Sequence, residues 1–152
     1  MKELTHVEGN RPAMVDVSRK GDMYRVAKAR GFIHLTLETL SLISENKIKK
    51  GNVLTVAEIA GIQAAKKTSD LIPLCHNIFI SRIGVRAEVK EGGIEVNAEA
   101  VCIGPTGIEM EVLTAVSVAL LTVYDMCKAV DKTMKISDIV LVEKSKKDLQ
   151  DI

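Results

Sequence analysis

Thirteen consecutive residues, Val112 to Tyr124 (VLTAVSVALLTVY), carry no charge, and charged side chains return at both ends of the run. A helix built from it is apolar on nearly every side. A surface helix would present a polar face, so this one needs cover from its own sheet and from a second subunit. Ala115, Ser117 and Ala119 are small enough for close helix packing, although helix propensity explains the alanines equally well. The run is too short to span a bilayer, and the start of the chain, MKELTHVE, has no apolar core of a signal peptide. The expectation is a cytoplasmic protein with no membrane partner.

Around that helix the pattern changes period. Ile78 to Lys90 and Ile94 to Ile103 alternate apolar and polar residues about the turn Glu91-Gly92-Gly93, which reads as a hairpin. Tyr24 to Ile33 is a weaker strand pattern and Lys135 to Lys144 a final strand. Leu35 to Ile43 reads as an amphipathic helix ending near Glu45-Asn46. A second helix begins near Val53 or Thr55 after the turn Lys49-Lys50-Gly51-Asn52, with Gly61 permitting close approach of a neighbour. The long helix extends to about Val130. Met14 to Ser18 reads as an edge strand. The order fits a split βαββαβ arrangement, an α+β fold with an antiparallel four-stranded sheet and helices on one face. Residues 1–13 read as a flexible arm, 14–145 as one domain and 146–152 as a flexible tail.

The 152 residues can bury roughly two thirds of their unfolded surface, so no disulfide or metal staple is required. With no Trp, two Phe and two Tyr, the core is aliphatic and stacking platforms for single-stranded nucleic acid are missing. The net charge of +1, from 21 basic and 20 acidic residues, draws no polyanion, so no nucleic-acid partner is expected. Cys75, Cys102 and Cys127 are odd in number and widely spaced, which speaks against a disulfide framework or a zinc site. No cofactor and no obligatory metal are expected.

Two polar groupings stand out. Gly61 to His76 (GIQAAKKTSDLIPLCH) ends a helix in charges and then turns through Pro-Leu-Cys-His. Cations at a helix C-terminus followed by proline need no further explanation. The same residues can also bind an anion and move protons. At the exit of the uncharged run, Asp125, Lys128 and Lys132 fall at spacings of three and four on one helical face. They form either a surface ion pair or a partly desolvated acid and base. His34 and His6 are isolated and read as structural or exposed. Lys144, Lys146 and Lys147 read as a solvated cluster.

Taken together, Met14 to Ser18, Gly61 to His76, Gly107 to Ala119 (GIEMEVLTAVSVA) and Tyr124 to Ala129 (YDMCKA) resemble the molybdenum cofactor biosynthesis protein C family, the cyclic pyranopterin monophosphate synthases. The likeness runs from about Leu4 to Ser145. It implies a ferredoxin-like subunit in a homohexamer, a trimer of dimers with active sites at subunit interfaces. It further implies a lyase that converts a cyclised dihydro-GTP, with ribose linked to guanine, into cyclic pyranopterin monophosphate and pyrophosphate.

By match to the family's motifs, Asp125 and Lys128 are the catalytic pair, and Leu74, Cys75, His76, Met110 and Glu111 contact substrate. Lys50, Glu109 and Lys144 fall in or beside the pocket, and Asp16 and Lys66 complete it. Lys128 is expected to act as general acid or base with Asp125 tuning it, while Lys66, Lys144 and His76 take the phosphates. Lys67 and Asp70 keep their helix-end explanation. One departure is visible. The family commonly continues past Lys144-Ser145 with Gly-Gly-Lys-Ser-Gly, whereas this chain reads Lys146-Lys147-Asp148-Leu149. The second tail lysine is therefore not carried over, and Lys146 and Lys147 are its candidate substitutes. Competing readings are a non-catalytic nucleotide-binding oligomer of the same fold and a purely structural assembly protein.

Overall fold

The computed structural model describes Val7–Glu8 and residues 11–152. His6 and most of the expected arm lie outside the described residues. Strands β1 (Val7–Glu8) and β2 (Arg11–Pro12) form a two-residue antiparallel ladder. The chain then runs β3 (Met23–His34), α1 (Leu37–Ser44), α2 (Val53–Lys66), the single turn α3 (Thr68–Leu71), β4 (Ile80–Lys90), β5 (Gly93–Gly104), α4 (Glu109–Cys127) and β6 (Lys135–Lys147).

Four strands pair antiparallel in the order β4-β5-β3-β6. Strict alternation selects the faces. Ala27, Ala29 and Ile33 of β3 and Ile94, Val96, Ala98, Ala100 and Cys102 of β5 are buried under the helices. Lys28, Arg30, Glu95 and Glu99 take the opposite positions along the same strands. There Lys28 Nζ lies 3.2 Å from both Glu99 and Glu143, and Arg82 pairs with Glu99. This is the expected α+β sheet with helices on one face.

Local chemistry sets the helix ends. Thr36 caps α1 by accepting from Thr39 N at 3.2 Å, and Asn52 caps α2 by accepting from Thr55 N at 2.9 Å. A Cβ on Gly61 would sit 3.0 Å from the Ala115 carbonyl, so glycine here sets how closely α2 approaches α4. Helix α4 is long and apolar enough to cross a membrane, yet more than half of it is buried within the fold, over the sheet. Val112, Ala115, Val116, Ala119, Leu120 and Val123 are fully covered, while Leu121 and Tyr124 are exposed.

Three boundaries differ from the sequence reading. Met14 to Ser18 is unpaired coil rather than an edge strand, because Asp16 Oδ1 accepts from Ser18 N (2.9 Å) and Ser18 Oγ (2.6 Å) and turns the chain. Helix α4 ends at Cys127, three residues before the expected Val130. Beyond it the buried Asp131 gathers the chain, accepting from Thr36 N, Thr133 N and Thr133 Oγ1 at 2.9 Å each and from Thr39 Oγ1 at 3.2 Å. Burial alone would raise the Asp131 pKa, but these bonds outweigh it and lower it. Strand β6 continues past Lys144 because Arg25 and Tyr24 pair with Lys146 and Lys147, which makes both lysines part of the sheet.

Candidate active site

The N-terminal end of α4 meets the Leu74-Cys75-His76 turn at a cavity of about 630 Å³. Val15, Val17, Ile72, Leu74, Ile78 and Met110 supply apolar walls; Cys75, His76, Glu109 and Glu111 are the groups able to do chemistry. The expected substrate contacts Leu74, Cys75, His76, Met110 and Glu111 are thus brought together by the fold.

Glu111 is 3% exposed, and its Oε2 has no hydrogen-bond partner among the described residues. Burial, with a smaller push from the Glu109 charge, lifts its pKa from 4.5 to about 7. A carboxyl in that range can both give and take a proton at neutral pH. Burial and the nearby Glu111 raise the Cys75 pKa, so it stays a thiol rather than a thiolate nucleophile. Cys102 and Cys127 are buried, and the Cys127 thiol is pushed up to about 11. His76 Nε2 lies 2.6 Å from the Val15 carbonyl, which can only accept, so Nε2 carries the proton and Nδ1 is the ring nitrogen left for a ligand. The same bond ties the Met14 to Ser18 segment down beside the cavity.

A second cavity of about 420 Å³ adjoins the first, sharing Lys20, Thr106, Gly107 and Glu109 with it. Its character is cationic: Lys20, Arg25, Lys144 and Lys146 line it. Glu109 stands on the seam, paired with Lys144, and folds back over Gly107, where any Cβ would strike its carboxylate. A larger open depression of about 760 Å³ lies around Lys28, Arg82, Arg86 and Glu99. Its cations and carboxylates neutralise one another, so the smaller paired cavities are the better candidate.

The expected catalytic pair lies elsewhere. Asp125 Oδ1 accepts from Lys128 Nζ at 2.7 Å and Oδ2 from Lys50 Nζ at 2.7 Å, and Lys50 also reaches the Asp125 carbonyl at 2.9 Å. Hydrogen bonds from Lys128 and then Lys50 hold the Asp125 pKa down to about 2, and Asp125 raises that of Lys128. Both groups are therefore charged near neutrality, with side-chain exposures of 55% and 57% in place of the desolvation the sequence suggested. Fourteen residues of helix separate Asp125 from Glu111, about 21 Å at 1.5 Å per residue. Within one chain the two groups cannot touch the same ring system.

Asp16 and Lys66 do not line the Glu111 cavity. The Asp16 carboxylate closes its own turn on Ser18, and Lys66 borders a separate groove with Ile78 to Ile83. Conversely, Lys20 and Arg25 line the cationic cavity without having been singled out, and beside them stands Lys146, one of the two candidate substitutes for the family's second tail lysine. Only the register of β3 against β6, which sets Arg25 beside Lys146, brings them together.

The MoaC family model matches residues 14–147. The chain is similar to the cyclic pyranopterin monophosphate synthase of Peptoclostridium acidaminophilum, 56% identical over 144 residues that cover 94% of this chain and 92% of the relative. The protein of that name from Desulfitobacterium hafniense is 54% identical over 145 residues, 94% of this chain and 89% of its own. The one from Thermoanaerobacter pseudethanolicus is 52% identical over 145 residues, 93% and 92%.

Proposed function

The chain belongs to the MoaC family, and we infer that it acts in molybdenum cofactor biosynthesis as a lyase, turning a cyclised dihydro-GTP into cyclic pyranopterin monophosphate and pyrophosphate. One observation carries the reading. An apolar cavity holding a carboxyl poised near neutrality opens directly onto a cationic one, matching a substrate with a fused ring system at one end and a triphosphate at the other.

The ring end rests among Ile72, Leu74, Ile78 and Met110, where Glu111 exchanges protons with ring nitrogens as bonds open and close. His76 Nδ1 and the Cys75 thiol orient that end. Lys128, whose proton Asp125 secures, begins the cycle as a general acid, and Lys50 shares the Asp125 carboxylate. Lys144 takes phosphate once Glu109 releases it.

Because about 21 Å of helix separates Glu111 from Asp125, the complete site is built from two subunits, one supplying the cavity and its neighbour the Lys50-Asp125-Lys128 cluster. The proposed assembly is a homohexamer, a trimer of dimers. The exposed residues Leu121 and Tyr124 of α4 and Val56 and Ile59 of α2 support it, and the Ser117 and Thr122 hydroxyls are already satisfied on helix carbonyls at 2.7 and 2.8 Å. Free thiols at Cys75, Cys102 and Cys127 suit the reducing cytoplasm as the location.

Incubation with the cyclised dihydro-GTP and measurement of pyrophosphate tests the activity. Asp125→Asn retains fold and assembly but loses turnover at least 100-fold, within the range of lost acid and base catalysis. Near-normal turnover by that variant removes Asp125 from the mechanism, and binding without pyrophosphate release favours a non-catalytic nucleotide-binding protein.

A further inference from the structure

We propose that Asp131 is a positioning residue for the reaction: through Thr36 and Thr39 it fixes the exit of α4 against the start of α1, and so sets Lys50 and Lys128 on the two sides of Asp125. The proposal rests on the functional reading above and gives Asp131 no contact with substrate.

The Lys50-Asp125-Lys128 cluster does not hold itself together. Its three side chains are about half exposed, and ion pairs at such exposure gain little once two long lysine side chains give up their freedom. Both lysines reach one carboxylate only if their backbones are set within range. Those backbones belong to segments far apart in the chain. Lys128 follows the last turn of α4, whereas Lys50 stands in the turn after α1, which Gly51 N closes on the Ile48 carbonyl at 3.0 Å.

Among the described residues, Asp131 makes the only hydrogen bonds between 36–52 and 124–133 apart from those of Lys50 itself. Its Oδ2 accepts from Thr36 N at 2.9 Å and Thr39 Oγ1 at 3.2 Å, the N-cap and first turn of α1. Its Oδ1 accepts from Thr133 N and Thr133 Oγ1, which closes the turn beyond α4. Asp131 N donates in turn to the Cys127 carbonyl at 3.0 Å, and Val130 N to the same oxygen at 2.9 Å, so the carboxylate is tied to the last residue of α4. Helix α1 carries the constraint onward. It is about 12 Å long at 1.5 Å per residue, is held by the buried Leu40 and Ile43, and delivers the chain to Lys50.

The choice of side chain fits this task. Asp131 is 3% exposed and has no cation beside it among the described residues, an unfavourable place for a charge unless hydrogen bonds replace its water. All four of its partners are donors, and a carboxylate is the group that meets four donors with acceptor oxygens alone. An asparagine in its place turns N–H groups against a donor whichever way its amide lies. An apolar contact would bury the same surface, but it would not specify direction. Direction is what the cluster needs, because displacing a reacting group by about 1 Å can slow a reaction by as much as 100-fold.

Steady-state kinetics of the full-length assembly, measured well below the melting temperature and with mass verified, separate positioning from stability. In Asp131→Asn, kcat for pyrophosphate release from the cyclised dihydro-GTP is expected to fall about tenfold, with KM within twofold because the cavity around Glu111 is intact. Thr39→Val keeps its shape and removes one link to Asp131; it is expected to lower kcat about threefold and decides the matter if Asp131→Asn does not fold. Glu58→Ala is the control. It loses the bond from Ala87 N at 2.9 Å, far from the cluster, and keeps kcat within twofold even where its melting temperature drops. Crystal structures of the folded variants are expected to show Lys50 Nζ or Lys128 Nζ beyond about 4 Å from the Asp125 carboxylate, the limit of an ion pair. A native kcat in Thr39→Val and in any folded Asp131→Asn overturns the proposal, as does an equal loss in Glu58→Ala. A wild-type assembly that releases no pyrophosphate sinks the functional reading instead; the crystal structures then judge the positioning alone, and an unmoved cluster in them contradicts it.

Discussion

Glu111 and Asp125 stand on one helix, about 21 Å apart, and their surroundings drive the two carboxyls in opposite directions, one to about 7 and the other to about 2. Burial in an apolar cavity keeps Glu111 ready to hold a proton. Two ammonium groups keep Asp125 ionised, and Asp125 in turn keeps Lys128 protonated. Carboxyls separated in this way can divide acid and base work between them.

The first consequence concerns stability. Glu111 binds its proton more tightly folded (about 7) than unfolded (4.5), so the native state holds more protons than the unfolded state between those values. Stability then falls as pH rises from 4.5 through 7, by roughly 3 kcal/mol at 1.36 kcal/mol per unit. Thermal melts of the wild type and Glu111→Gln from pH 5 to 8.5 check it. The variant flattens the slope and is the more stable protein at the alkaline end. Parallel curves would mean that Glu111 is ionised in the folded protein.

Asp131 is expected to dominate the stability of the region that carries Asp125 and Lys128. Asp131→Ala orphans Thr36 N, Thr133 N and Thr133 Oγ1, leaves Thr39 Oγ1 only its bond to Thr36 Oγ1, and costs about 3 kcal/mol in urea unfolding. Its pKa is depressed, so its contribution is present above the unfolded value of 3.8 and disappears as pH falls below it. A loss under 1 kcal/mol would mean that these bonds are replaced by water.

On the exposed side of α4, Leu121→Glu places a charge in the surface assigned to a neighbouring subunit. Light scattering is expected to find a smaller species with unchanged helical circular dichroism. A particle of wild-type mass would free this face from the interface.

Much of this was readable from the chain itself. Alternation fixed the hairpin from Ile80 to Gly104, because a half-buried sheet imposes a period of two. The glycine at Gly61 announced a close helix contact, and the Ala115 carbonyl is the contact it makes. The residues of the Leu74 to His76 turn and of the α4 N-terminus converge as their motifs implied. Met14 to Ser18 misled because its alternating apolar residues satisfy the strand pattern, while the Asp16 side chain captures Ser18 and ends pairing locally. Arg25 and Lys146 were invisible as a pair, since their proximity is set by a strand register spanning 121 residues of sequence. Asp131 was missed for the same reason, its partners lying 95 and 92 residues away.

The central claim is that a working site combines the cavity of one subunit with the Asp125 cluster of another. Subunit mixing tests it directly. Glu111→Gln and Asp125→Asn assemblies are each inactive alone; dissociated, combined in equal amounts and reassembled, they are predicted to regain pyrophosphate release at about a quarter of the wild-type rate. That is the share of interfaces pairing an intact Glu111 with an intact Asp125. Mixed assemblies, verified by mass, that stay as inactive as their parents would contradict the shared site.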